Sequence, residues 1–82
     1  MNVEGVCSTV QKLRRSSFEV HYMPETLRRT TLSRLRCSGL VNLERSLTLN
    51  SLIGGHLVQG HVDAVGRIVK IRRDGRSKIY TF

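Results

Sequence analysis

The chain reads as an all-β protein: a small β-barrel with one short α-helix. Three observations carry that reading. Phe18-Glu19-Val20-His21-Tyr22 alternates with period two, the pattern of a half-buried strand. Val62, Val65, Ile68, Val69 and Ile71 form a second, β-branched run, followed by Asp74-Gly75, a hairpin dipeptide. Only one stretch, opened by Pro24, has helical spacing. The length of 82 residues allows one small domain, and with four aromatic residues and no Trp its core must rest on Val, Leu and Ile.

The elements follow in order. Gly5 to Leu13, with Val6, Thr9, Val10 and Leu13, is expected as a strand, Arg14 to Ser17 as a polar turn, and Phe18 to Tyr22 as the returning strand of a hairpin. Pro24 suits the first turn of a helix, where Glu25 also favours the positive end of the dipole. Leu27, Thr31 and Leu35, with Leu32 beside them, would share one face. The Thr pair keeps this helix weak and short, and Gly39 is its expected stop. Leu40 to Leu49 alternates as another strand. After the Gly54-Gly55 break and Gly60, the pattern predicts a long strand from Val62 to Arg72, bulged or bent at Gly66, and a last strand from Lys78 to Phe82. No repeat or low-complexity segment is present.

Net charge is +8, from fourteen Lys and Arg against six Asp and Glu. An anionic partner such as nucleic acid is one reading. A solvated basic surface is the other, and it is favoured because the charges come as short pairs (Arg14-Arg15, Arg28-Arg29, Arg72-Arg73). Cys7 and Cys37 cannot form a disulfide-dense scaffold. Neither a C-x2-C nor an H-x3-H interval occurs, so no metal site is expected. The longest uncharged run, Ser46 to Val62, is interrupted by polar residues and glycines and is no membrane span. Met1 is followed by neither a basic nor an apolar signal segment, and the expected compartment is the cytoplasm.

Four motifs then appear in a recognisable order. They are Gly5-Val6-Cys7-Ser8-Thr9-Val10; Met23-Pro24-Glu25-Thr26-Leu27-Arg28-Arg29-Thr30-Thr31-Leu32; Val41-Asn42-Leu43-Glu44-Arg45; and Gly54-Gly55-His56-Leu57-Val58-Gln59-Gly60-His61-Val62-Asp63. Together they resemble the riboflavin synthase family, whose lumazine-binding barrels carry N-G-x-C-L-T-V, M-P-E-T-L-R-x-T-x-L, V-N-L-E-R and G-G-H-L-V-x-G-H-V-D. The resemblance covers about three quarters of the chain. Any one motif is weak and the ordered set is strong. Glu4 departs from the family's Asn, and Ser8 from its Leu.

The resemblance implies a Greek-key-like barrel. It also implies an enzyme that moves a four-carbon unit between two molecules of 6,7-dimethyl-8-ribityllumazine, giving riboflavin and a pyrimidine, with no cofactor. In the family each subunit has two similar barrels, and the subunits form a trimer with the reaction between facing barrels. By the same resemblance, Cys7, Ser8 and Thr9 fall on one ligand-contacting stretch. His21, Tyr22, Met23, Pro24, Glu25 and Thr26 fall on a second, and Gly60, His61 and Val62 on a third. Cys7 and His61 are the candidates for a catalytic role, and His56 is assigned to structure. Each has a plainer reading as well. Cys7 would be a buried thiol, Thr9 a β-former, Thr26 a helix-start hydrogen-bonder, and His61 a satisfied surface group.

In the family's order, residues 1–53 correspond to the latter part of a first barrel, 54–59 to a linker, and 60–82 to the opening strands of a second. The expected barrel is therefore incomplete or permuted. The segment Gly60 to Phe82 would either fold back to close one barrel with Gly5 to Glu44, or exchange between chains in a dimer. The synthase is the leading reading, a non-catalytic lumazine- or flavin-binding module is the alternative, and a basic nucleic-acid-binding barrel comes third, with nucleic acid not an expected partner. The last would show steep salt dependence.

Overall fold

The computed structural model describes residues 1–82. The chain opens with a tight hairpin of β1 (Asn2–Val3) and β2 (Val6–Cys7). Its two-residue loop is Glu4-Gly5, with φ of 51° and 79°. Two successive positive φ values define the turn whose twist matches paired strands, and Gly5 meets that demand without a Cβ penalty. Glu4 meets it under strain, offset by a grip on Asn42. Its carboxylate accepts from the Asn42 backbone N–H (2.6 Å) and side-chain amide (3.2 Å), and its own N–H donates to Asn42 C=O (2.9 Å). β5 (Leu43–Glu44) pairs with β1 on the other side, giving the order β2-β1-β5.

The strand expected over Gly5 to Leu13 is broken in two, with β3 (Val10–Leu13) leaving the first sheet to pair with β4 (Phe18–Val20). The break lies at Ser8. Its hydroxyl turns back to the Val6 carbonyl (2.9 Å) and meets the Tyr22 hydroxyl (2.8 Å), so a buried polar side chain is satisfied locally.

The expected helix is also divided. α1 (Pro24–Arg29) ends at Thr30, which donates to Thr26 C=O (2.7 Å) and accepts from Leu32 N–H (3.3 Å). A 3-10 turn, Thr31–Arg34, follows with its own cap. The reset leaves Leu27 and Leu32 facing inward and Leu35 exposed, so the four residues do not share one face.

The core is small. Val3, Val6 and Leu32 are buried, and Phe18, Tyr22, Leu27, Val41 and Val62 pack around them. These residues come from five separate stretches of chain, so the core depends on non-local contacts.

Two long strands expected from patterning are much shorter. Of Leu40 to Leu49 only β5 pairs, because β1 is itself two residues long and offers no further ladder positions. The strand expected from Val62 begins only at Lys70, and Gly66 lies in irregular chain with no ladder to bulge. β6 (Lys70–Asp74) and β7 (Ser77–Thr81) form a regular hairpin across Asp74-Gly75-Arg76-Ser77. This hairpin shares no sheet with β1–β5. The molecule therefore holds three open sheets and no closed barrel. Its radius of gyration of 15.9 Å exceeds the roughly 12 Å of a compact chain this long. No helix is long and apolar enough to cross a membrane.

Candidate functional site

Three segments distant in sequence meet beside the core. β2 supplies Val6 and Cys7, α1 with its cap supplies Glu25, Thr26, Arg29 and Thr30, and the returning chain supplies Gln59, Gly60, His61 and Val62. They enclose an open cavity of about 390 Å³, within the range for small-molecule sites.

The returning chain is held there by backbone. Cys7 N–H donates to Gly60 C=O at 2.7 Å. Gly60 is buried with φ +79°, and a Cβ at this position would meet the Asn2 side-chain oxygen and lie 2.9 Å from Cys7 N. Only glycine fits, both for the torsion and for the approach. The Asn2 amide is in turn fixed by Glu44 (3.2 Å), so β1 and β5 set the position of the cavity wall. Val62 packs on the core and anchors the far end.

The polar groups differ in what remains available to a ligand. The Thr26 hydroxyl has no protein hydrogen-bond partner, whereas the Thr30 hydroxyl is committed to Thr26 C=O and Leu32 N–H. Glu25 is ion-paired with both Arg28 and Arg29, which orients the Arg29 guanidinium at the cavity edge. His61 Nε2 lies 2.9 Å from Asp63 Oδ1. This carboxylate orients the ring, although both side chains are well exposed and the pairing is correspondingly weak. Cys7 is a free, exposed thiol. The site thus offers one hydroxyl, one guanidinium, one imidazole, one thiol, the Gln59 carboxamide and the backbone near Gly60. Such a set can hydrogen-bond a polar ring edge and exchange a proton with it.

Of the residues singled out from sequence, Cys7, Glu25, Thr26, Gly60, His61 and Val62 line this cavity. The others lie elsewhere. Ser8 is buried against Tyr22, Thr9 and His21 are exposed outside the lining, and Met23 and Pro24 form the start of α1. Val6, Arg29, Thr30 and Gln59 line the cavity and were not anticipated. Arg29 and Thr30 were findable, since they stand three to four residues beyond Thr26 and Glu25 on one helical face. Gln59 had no local signal. His56, five residues before His61, borders an adjoining recess of about 530 Å³ that shares Cys7 and Gln59 with the cavity. No three His, Cys, Asp or Glu side chains converge to hold a metal.

Comparison with known proteins places the sequence. Residues 1–46 match the lumazine binding domain. The chain is 48% identical over 80 residues to the riboflavin synthase of Meyerozyma guilliermondii, covering 95% of this chain and 34% of that enzyme. It is 44% identical over 80 residues to the riboflavin synthase of Schizosaccharomyces pombe, covering 98% of this chain and 38% of the enzyme. Against the riboflavin synthase of Mycobacterium bovis the identity is 53% over 68 residues, 82% of this chain and 34% of the enzyme. No solved structure matches. The chain thus spans about a third of the length of the curated relatives it matches. With more than half of its residues inside the domain match and near-full coverage by these relatives, the chain belongs to the riboflavin synthase family.

Proposed function

We propose that the cavity between β2, α1 and Gln59–Val62 binds one 6,7-dimethyl-8-ribityllumazine, and that the chain contributes this half-site to riboflavin synthesis. The observation that carries the reading is the Cys7 N–H to Gly60 C=O bond, which seats the returning chain on β2 so that three of the four family motifs line one opening. The flat ring would take hydrogen bonds from backbone and Gln59, and the ribityl chain from Thr26 and Arg29. The reaction needs a proton removed from the ring's 7-methyl group. His61, oriented by Asp63, is the base in this proposal, and Cys7 is the candidate that meets the second ring. Holding two rings face to face supplies orientation, which can contribute about 7–11 kcal/mol to a barrier.

One cavity holds one lumazine, so turnover requires a second facing site, and we place it on a neighbouring copy. The assembly would be the family's trimer or a strand-exchanged dimer. Residues 1–53 would be the latter part of one barrel, 54–59 a linker and 60–82 the start of a second, with the protein working in the cytoplasm and without a cofactor. A specific observation keeps the non-catalytic lumazine- or flavin-binding module as a second reading: the sheets here are open and no barrel closes.

The test is a titration of the chain with riboflavin, read by flavin fluorescence, followed by incubation with the lumazine and detection of product. Turnover supports the synthase, and saturable binding without turnover selects the module. Absence of both overturns the assignment of the cavity.

A further inference from the structure

The β6–β7 hairpin carries a second feature that the lumazine reading does not use. Arg67, Lys70, Arg72, Arg73, Arg76 and Lys78 fall within twelve residues, against Asp74 as the one acid from residue 64 onward. None of the six takes part in an ion pair, although Arg14, Arg28 and Arg29 in the first half of the chain all do. The register makes this costly. Arg73 stands directly across the ladder from Lys78, a like-charge pair that destabilises a hairpin. At the turn, Arg73, Gly75, Arg76, Ser77 and Lys78 surround a recess of about 270 Å³ with no apolar side chain in its wall.

We propose that this hairpin is a binding site for the phosphodiester backbone of nucleic acid, with a phosphate seated in the tip recess between Arg73, Arg76 and Lys78. An anion there relieves the Arg73–Lys78 repulsion and accepts from the Ser77 hydroxyl. Lys70 and Arg72 lie on the opposite face from Arg73 and Lys78, as strand alternation requires, so cations line both faces of the ribbon. Five ladder positions at about 3.4 Å each give it a length of roughly 17 Å, enough to meet several phosphates of one strand. A two-stranded antiparallel ribbon is also a shape that nucleic-acid grooves admit. An anionic membrane fits less well. Its insertion would need apolar side chains beside the cations at the tip, and those of the hairpin, Ile71, Ile79, Tyr80 and Phe82, lie toward the opposite end.

The test uses the full 82-residue chain and fluorescein-labelled 20-nucleotide DNA, single-stranded in one arm and duplex in the other, with anisotropy read across a salt series. Binding is expected to weaken steeply with salt in at least one arm. Arg73→Gln with Arg76→Gln should weaken it at least tenfold and flatten the log–log salt slope by about 1–2. Arg34→Gln with Arg36→Gln removes the same charge outside the hairpin and should cost less than twofold. The three lysines supply an independent readout. Bound DNA should protect Lys70 and Lys78 from acetylation and leave Lys12 on β3 reactive. Equal losses in the two double variants, equal protection of all three lysines, no salt-dependent binding, or tighter binding to phosphatidylserine vesicles than to either DNA would each overturn the proposal. Riboflavin binding should be unchanged in Arg73→Gln with Arg76→Gln, which separates this site from the cavity.

Discussion

The two ends of the molecule are built on opposite principles. The β6–β7 hairpin has the longer ladder, five cross-strand pairs, yet of its strand residues only Ile79 is even half-buried. The β1–β2 hairpin has two pairs, yet it contains two of the three core residues. Regular pairing therefore does not mark where stability resides. A local ladder forms wherever a turn brings two strands together. Burial needs a second surface, and only the first hairpin has one, supplied by Leu32, Leu27, Val41 and Val62.

That contrast can be broken or sharpened by substitution. Leu32→Ala removes the most buried core side chain and should cost about 3 kcal/mol, read as a fall in the urea midpoint. A loss below about 1 kcal/mol would mean that the first half is no better packed than the hairpin. Gly60→Ala forces a Cβ against Cys7 N at positive φ and should cost about 2 kcal/mol, with at least a tenfold loss of riboflavin binding. Retained binding would detach the returning chain from the cavity. Ser8→Ala leaves the half-buried Tyr22 hydroxyl without its partner and should cost about 1–2 kcal/mol. Adding Tyr22→Phe should recover part of that loss, and simple additivity of the two would show that the hydroxyls do not act as a pair.

Smaller effects are expected at the turns. Glu4→Asn replaces a strained residue with one that tolerates positive φ, and should raise stability by about 0.5–1 kcal/mol. A decrease would show that the grip of Glu4 on Asn42 outweighs the torsional relief. Ile71→Ala, on the exposed hairpin, should change the midpoint by less than about 0.5 kcal/mol. A larger loss would place a packing surface on β6 and erase the difference between the two regions.

Local chemistry was legible where it is local in origin. Phe18 to Val20 pairs as its alternation predicted, α1 begins at Pro24, and Asp74-Gly75 turns the last hairpin. The two over-long strands share one cause. Outside Asn42 to Glu44, the stretches Leu40 to Leu49 and Val62 to Ile68 have strand patterning but no neighbouring strand to pair with, and patterning cannot report the absence of a partner. The division of the helix at Thr30 rests on a side-chain cap that competes with helical continuation, a choice that propensity leaves nearly balanced. At the site, ordered motifs pointed to Cys7, Glu25, Thr26, Gly60 and His61, while Gln59 and Val6 enter the cavity only because the chain returns across β2.

The sequence by itself determined the family, through four motifs in order, and the short-range elements, through turn residues and period-two alternation. The tertiary structure decided which of those elements share a core. The return of Gly60 to Cys7 carries the later chain into contact with β2, and the hairpin beyond Val69 stays outside that sheet. The physical reason is that closing a barrel requires each edge to find a complementary edge. A strand's own residues encode its readiness to pair, and only the positions of the other strands decide whether it does.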